Sequence, residues 1–232
     1  MFKKILSSIG IGSAKVNTVL LDSRIERGKE TKGEVHIFGG NTEQKISKIY
    51  IHIDSEFDKE DDDTTDFRNV TEPIVEIEIT DAVTVNPYEE KVIPFSFILP
   101  YYTPVTFGKQ KVSIQTELDI NVINHPVETH DFIVSDPWLD EILRHLNDHG
   151  YTHNMISGVC RHKINEGNNP THCLQTFNLV NDQGIRIYFV GNEKDIHIYI
   201  YIKDQVKHLP IYRDDDLREQ LKNLRPLIAD RN

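Results

Sequence analysis

Apolar residues recur at every second position in segment after segment of this chain, and few folds accept that period. Val35 and Ile37 alternate with Glu34 and His36, Ile49, Ile51 and Ile53 with Tyr50 and His52, and Val75, Ile77 and Ile79 with Glu76 and Glu78. Ile93, Phe95, Phe97 and Leu99 follow around Pro94, and Val112, Ile114, Leu118, Ile120 and Val122 share one parity along a longer stretch. Successive side chains of a strand point to opposite faces, so each segment has one face to bury and one to expose. Such segments, punctuated by Gly, Pro, Asn and Asp, predict an antiparallel β-sandwich. Pro94 has no N–H to offer a second neighbour, which puts its strand at a sheet edge or at a bulge. Arg27-Gly28-Lys29 and Phe38-Gly39-Gly40-Asn41 read as turns. The acidic run Asp58–Asp63 reads as a solvated loop, because it lacks the ligand register and closing glutamate of a calcium loop.

The period is helical at other places. Phe2, Ile5, Leu6 and Ile9 lie at i, i+3, i+4 and i+7, which predicts a short amphipathic helix stopped by Gly10 and Gly12. Its stripe can dock on the protein's own core or enter a partner's groove. After Val134 the alternation stops, and Ser135-Asp136-Pro137 opens a helix over about 137–149 with a stripe of Trp138, Ile142, Leu143 and Leu146. Four more strands are expected, near 151–164, 172–180, 185–190 and 195–203, then a helix over about 214–224 carrying Leu217, Leu221 and Leu224 and ended by Pro226. The expected division is therefore a sandwich over 1–134, preceded by the short helix, and a β-rich domain over 135–232 with flanking helices.

With 37 acidic against 26 basic residues, the net charge of −11 disfavours nucleic acid and anionic membranes as partners. No apolar run approaches the ~18 residues of a membrane span. The basic head Lys3-Lys4 resembles a signal peptide, but Ser7, Ser8 and Gly10 interrupt the apolar stretch behind it, so a cytoplasmic protein is expected.

No phosphate-cradling glycine loop and no Gly-x-Ser-x-Gly nucleophile turn occurs, and no residue stands out as catalytic. No cofactor is expected. One cluster is rich in metal-ligand types: His145, His149 and His153 at intervals of four, then Cys160-Arg161-His162 and His172-Cys173. Cys160, His162 and His172 are the candidate zinc ligands, since thiolate and imidazole are zinc's preferred donors. The preferred reading is nonetheless ordinary packed or surface residues with no metal, zinc ligation and a Cys160–Cys173 disulfide being the alternatives, the latter calling for an oxidising compartment.

The runs Ala14–Leu20 and Arg27–Ile37 resemble the opening of arrestin-like domains, and Pro94-Phe95-Ser96-Phe97-Ile98-Leu99-Pro100 with Thr103-Pro104 resembles the segment before their long final strand. The opening Phe2–Val16, together with Asp136-Pro137-Trp138-Leu139, is similar to the stage-zero sporulation-control protein M family. The resemblance implies an arrestin-like fold, a cytoplasmic location, no catalysis, and control of sporulation or development through partner proteins. It carries no functional residue across. The expected function is thus a non-enzymatic regulatory adaptor that binds cytoplasmic proteins, with Phe2, Ile5, Leu6 and Ile9 as partner-binding residues and self-association open. The alternative is a metal- or small-ligand sensor built on the His/Cys region.

Overall fold

The computed structural model describes residues 14–60, 67–79, 81–120, 126–162 and 173–228. The expected helix with Phe2, Ile5, Leu6 and Ile9 lies outside them. Strands β1 (Lys15–Leu20), β2 (Arg24–Glu26), β3 (Glu30–Phe38), β4 (Gln44–Glu60), β5 (Phe67–Ile79), β6 (Val83–Val85), β7 (Glu90–Ile98) and β8 (Val112–Ile120) are followed by β9 (Val127–Asp131) and β10 (Ile133–Ser135). Helix α1 (Pro137–Asp148) precedes β11 (Thr152–His153), β12 (Cys160–His162), β13 (Cys173–Gln175), β14 (Phe177–Val180), β15 (Arg186–Gly191), β16 (Asp195–Ile202) and β17 (Gln205–Tyr212), and α2 (Leu217–Ile228) follows.

Two sheets face each other in the first half. One has the order β1-β3-β7; the other runs β13-β12-β4-β8-β9, with β5 and β6 also on β4. The alternation places Val35, Ile37 and Phe95 inside from the first sheet, and Ile49, Ile51, Ile53, Ile114 and Leu118 from the second, all in one buried cluster. Thr18 and Thr116 are the polar exception. Buried in the middle of this layer, their hydroxyls bond each other at 2.6 Å across the two sheets, as buried hydroxyls must. Gly33 is small for a packing reason: a Cβ there would lie 2.4 Å from the Phe95 ring.

The described β7 is an edge strand, as Pro94 requires. Leu99 bonds inward through both its N–H and its C=O, to Lys29 and Gly28. Residues two apart on a strand share that direction, so the N–H groups of Val92, Ser96 and Ile98 point outward and Pro94 leaves a gap among them.

β10 pairs with β2 in parallel as a two-stranded sheet, and a five-stranded sheet has the order β11-β14-β15-β16-β17. Ile196, Ile198 and Ile200 of β16 are fully buried in the same cluster as Leu139, Ile142 and Leu146 of α1 and Leu221, Leu224 and Ile228 of α2. His197 and Tyr199 occupy the opposite face, where Tyr199 stacks on His208 with ring centres 4.7 Å apart.

Several sequence expectations need correction. The acidic run is not wholly loop, because β4 extends to Glu60 with Asp58 opposite Asn69 of β5. The segment 172–180 is not one strand. It changes sheets at Thr176, β13 joining β12 beside β4 and β14 joining β15. A further strand, β17, was missed because Gln205, Val206, His208 and Tyr212 are exposed and only Ile211 is buried, which erases the alternation. In α1 the deeply buried stripe is Leu139, Ile142 and Leu146, with Trp138 only partly covered. Helix α2 runs through Pro226 to Ile228, where the Tyr151 hydroxyl donates to the Ile228 carbonyl at 3.2 Å. Pro226 removes one backbone hydrogen bond there, and the buried Ile228 with its Tyr151 contact holds the last turn against that loss.

Ile114 is fully buried at the centre of the sandwich. Ile114→Ala should lower unfolding stability by about 2–5 kcal/mol, read as a lower urea midpoint with an unchanged slope.

Candidate functional site

The turn after β2 carries Arg27, and Gly28 sits there at φ +76, a left-handed conformation that glycine adopts without strain. A Cβ on Gly28 would lie 2.3 Å from the Tyr101 ring, so the glycine also lets that ring close over the turn. Arg27 is thereby folded inward and is 4% exposed. Its Nη1 donates to the carbonyls of Tyr101 at 2.9 Å and Thr103 at 3.1 Å, and its Nη2 donates to Asp136 Oδ2.

Asp136, 1% exposed, is the residue before α1. Its Oδ1 accepts from the Trp138 N–H at 3.0 Å, capping the helix. The same carboxylate accepts two bonds from Arg213, beyond the end of β17, at 3.1 and 2.6 Å. The Arg213 side chain is 6% exposed. Its guanidinium lies 4.6 Å from the centre of the Tyr101 ring and its Nε donates to the Asn192 carbonyl at 2.7 Å.

Two guanidiniums thus share one buried carboxylate. Burial alone would raise the Asp136 pKa, but the hydrogen bonds from Arg213 and the charges of Arg27 and Arg213 outweigh it and hold the carboxyl below its usual range. Burial works against the charge of Arg27, and Asp136 opposes that loss; an arginine keeps its proton in any case. The Nε of Arg27 and the hydroxyl of Thr103 are both buried with no hydrogen-bond partner among the described residues. An unmet buried donor of this kind costs on the order of 1–3 kcal/mol.

Arg27 and Gly28 line a cleft of about 740 Å³ that opens between the 98–104 segment, β13 and the β15–β16 turn. Its walls include Tyr101, Tyr102 and Phe177, and Lys194 and His197 contribute to the side nearest the turn.

The sequence-derived zinc candidates are arranged differently. Cys160 and Cys173 form a disulfide, their Cα atoms 5.3 Å apart on paired strands. Each sulfur is therefore committed to the other and neither is a thiolate ligand. The backbone of His162 lies opposite Cys173, and His172 falls outside the described residues. The rings of His145 on α1 and of His149, the residue after that helix, lie tilted with centres 4.4 Å apart, whereas His153 of β11 bonds the Ser157 hydroxyl at 2.7 Å. Among the described residues no group of three metal-ligating side chains converges. The β12–β13 pair is fastened by glutamines instead. Gln110 accepts from the Cys160 N–H at 2.7 Å, and Gln175 Nε2 donates to the carbonyls of Val105 at 2.8 Å and Gly158 at 2.7 Å.

Sequence reasoning placed Arg27 in a turn and Asp136 at a helix entry, and gave Arg213 no role. The signal available was Asp-Pro at a helix start, but the partners are 109 and 77 residues distant along the chain. Asp136→Ala should cost about 3–5 kcal/mol, because it strands two buried cations. Asp136→Asn keeps one acceptor oxygen for the cap and an arginine but not the charge, so it should cost about 1 kcal/mol less than Asp136→Ala. The folded pKa of Asp136 lies below its unfolded value of about 3.9, so its contribution is complete above that pH and is lost as pH falls through the folded value. Acid titration of stability should accordingly be shallower in Asp136→Asn than in the wild type.

Three comparisons bear on this architecture. A family model described as SpoOM protein matches residues 2–204. The sporulation-control protein spo0M of Bacillus subtilis (strain 168) is 34% identical over 151 residues, 65% of this chain and 58% of that protein, so the match spans a little over half of the relative. The crystal structure of Spo0M from Bacillus subtilis superposes with a TM-score of 0.77 at 23% identity, covering 94% of this chain and 98% of that one, which shows a shared β-rich fold consistent with the expected arrestin-like sandwich. With the family model spanning most of the sequence, the chain belongs to the SpoOM protein family.

Proposed function

We propose that this protein is a non-enzymatic regulatory adaptor in the control of sporulation or cell development, acting by holding partner proteins. Membership of a family whose Bacillus subtilis relative is named for sporulation control supports the regulatory part. Among the described residues no helix is long and apolar enough to cross a membrane. In this reading the chain divides near residue 134, with β12 and β13 returning to lie beside β4.

The observation that carries the binding part is the outer edge of β7. Val92 is 47% and Ile98 66% exposed, flanking the outward N–H groups of Ser96 and Ile98. An extended partner segment gains affinity from backbone bonds to such an edge and selectivity from the alternate side chains beside it. Pro94 interrupts the donor row, which blunts indiscriminate pairing between copies while leaving residues 96–98 open. The stripe of Phe2, Ile5, Leu6 and Ile9 is proposed as a second contact, on its sequence pattern alone.

A photo-crosslinker at Ile98 should capture the same protein that one at Val92 captures, whereas one at Glu219 of α2 should not. Ser96→Pro removes an outward donor but no bond to β3, so it should fold with an unchanged melting temperature and lose that crosslink. Removal of residues 1–10 should weaken the crosslink as well. A Ser96→Pro protein that crosslinks as the wild type does excludes strand addition at this edge.

A further inference from the structure

The cleft beside Arg27 shares Ile98 with the β7 edge of the adaptor reading, but its other walls have no part in that reading and their chemistry is specific. A volume of about 740 Å³ is within the usual size of small-molecule sites. Its walls are largely apolar, with Tyr101, Tyr102, Pro104 and Phe177 among them. Its charge is not balanced. Among the described residues its lining carries two cations, Arg27 and Lys194, against one acid, Glu193 at the turn between β15 and β16, and behind Arg27 the Asp136 carboxylate is already shared by two guanidiniums. The rest of the molecule is acidic, with a net charge of −11, so this is a local positive field in an otherwise repulsive surface. Such a field, focused by low-dielectric walls, raises the local concentration of anions.

A second observation points the same way. Arg27 is nine-tenths buried, lines the cleft, and leaves its Nε without a partner among the described residues. Every other nitrogen of the pair makes at least one bond: Arg27 Nη1 and Nη2 to two carbonyls and Asp136, and the three of Arg213 to Asp136 and Asn192. A buried guanidinium N–H beside an apolar wall is the donor that an oxyanion satisfies best, because a charged acceptor forms the stronger bond.

We propose that this cleft binds a small organic anion, its acid group taken by Arg27 and Lys194 and its apolar body lying against Tyr101, Tyr102 and Phe177. The ligand is a carboxylate or a phosphate monoester on an aromatic or aliphatic body, small enough for the cleft. A neutral compound of the same shape leaves the cationic side uncompensated, and a bare inorganic anion leaves the aromatic walls unused.

The test is a calorimetric and thermal-shift titration of the full chain with benzoate and phenyl phosphate, and with benzyl alcohol and inorganic phosphate as controls. At least one of the two aromatic acids should bind saturably below ~10 mM and raise the melting temperature, at about tenfold higher affinity than either control. Binding of benzoate alone assigns the site to carboxylates, and of phenyl phosphate alone to phosphate esters. Lys194→Glu, a change at the exposed turn, should melt as the wild type does without ligand and lose about tenfold or more in affinity. Binding of neither acid, equal binding of benzyl alcohol or inorganic phosphate, or a Lys194→Glu protein of unchanged affinity each overturns the proposal.

Discussion

The carboxylate of Asp136 joins three parts of the chain that are otherwise far apart in sequence. One oxygen caps α1, and both receive guanidinium donors, from the turn after β2 and from the residue beyond β17. Burying three charges carries a desolvation cost of several kcal/mol per ion, which is offset only when geometry is good and remaining donors are met. Here most are met, by the carbonyls of Tyr101, Thr103 and Asn192. A hydrophobic cluster of the same volume would serve stability equally well. What the ions add is direction: only one placement of α1 satisfies both arginines, so the helix is fixed against the sandwich and the last sheet together.

That placement creates the cleft. The Tyr101 ring closes over Gly28 and lies under Arg213, and the segment 98–104 becomes one wall while β13 and the β15–β16 turn become the other. The edge of β7 is continuous with this wall, because Ile98 belongs both to the exposed strand edge and to the cleft lining. An adaptor surface and a charged cleft therefore adjoin on the same segment of chain.

The strands of the sandwich were legible because each buries one face only. Val35, Ile37, Ile51 and Ile114 show the two-residue period in the sequence and lie fully buried in the structure. Pro94 was equally legible, since a residue without an N–H has few places in a sheet. β17 was not, for it turns exposed residues to solvent on both sides of a single buried Ile211. The course of α2 through Pro226 was also hidden, because the packing of Ile228 that holds the last turn is a tertiary contact.

The sequence by itself determined which segments are extended, which face of each is apolar, where α1 begins, and that the chain resembles its family. These are local properties, set by backbone sterics and by side-chain spacing over a few residues. Only the tertiary structure decided that Arg27 and Arg213 share Asp136, that Cys160 and Cys173 form a disulfide, and that β13 and β14 part into different sheets at Thr176. Pairings across 77 and 109 residues leave no periodic trace, because a charge or a thiol reads the same in sequence whatever lies beside it in space.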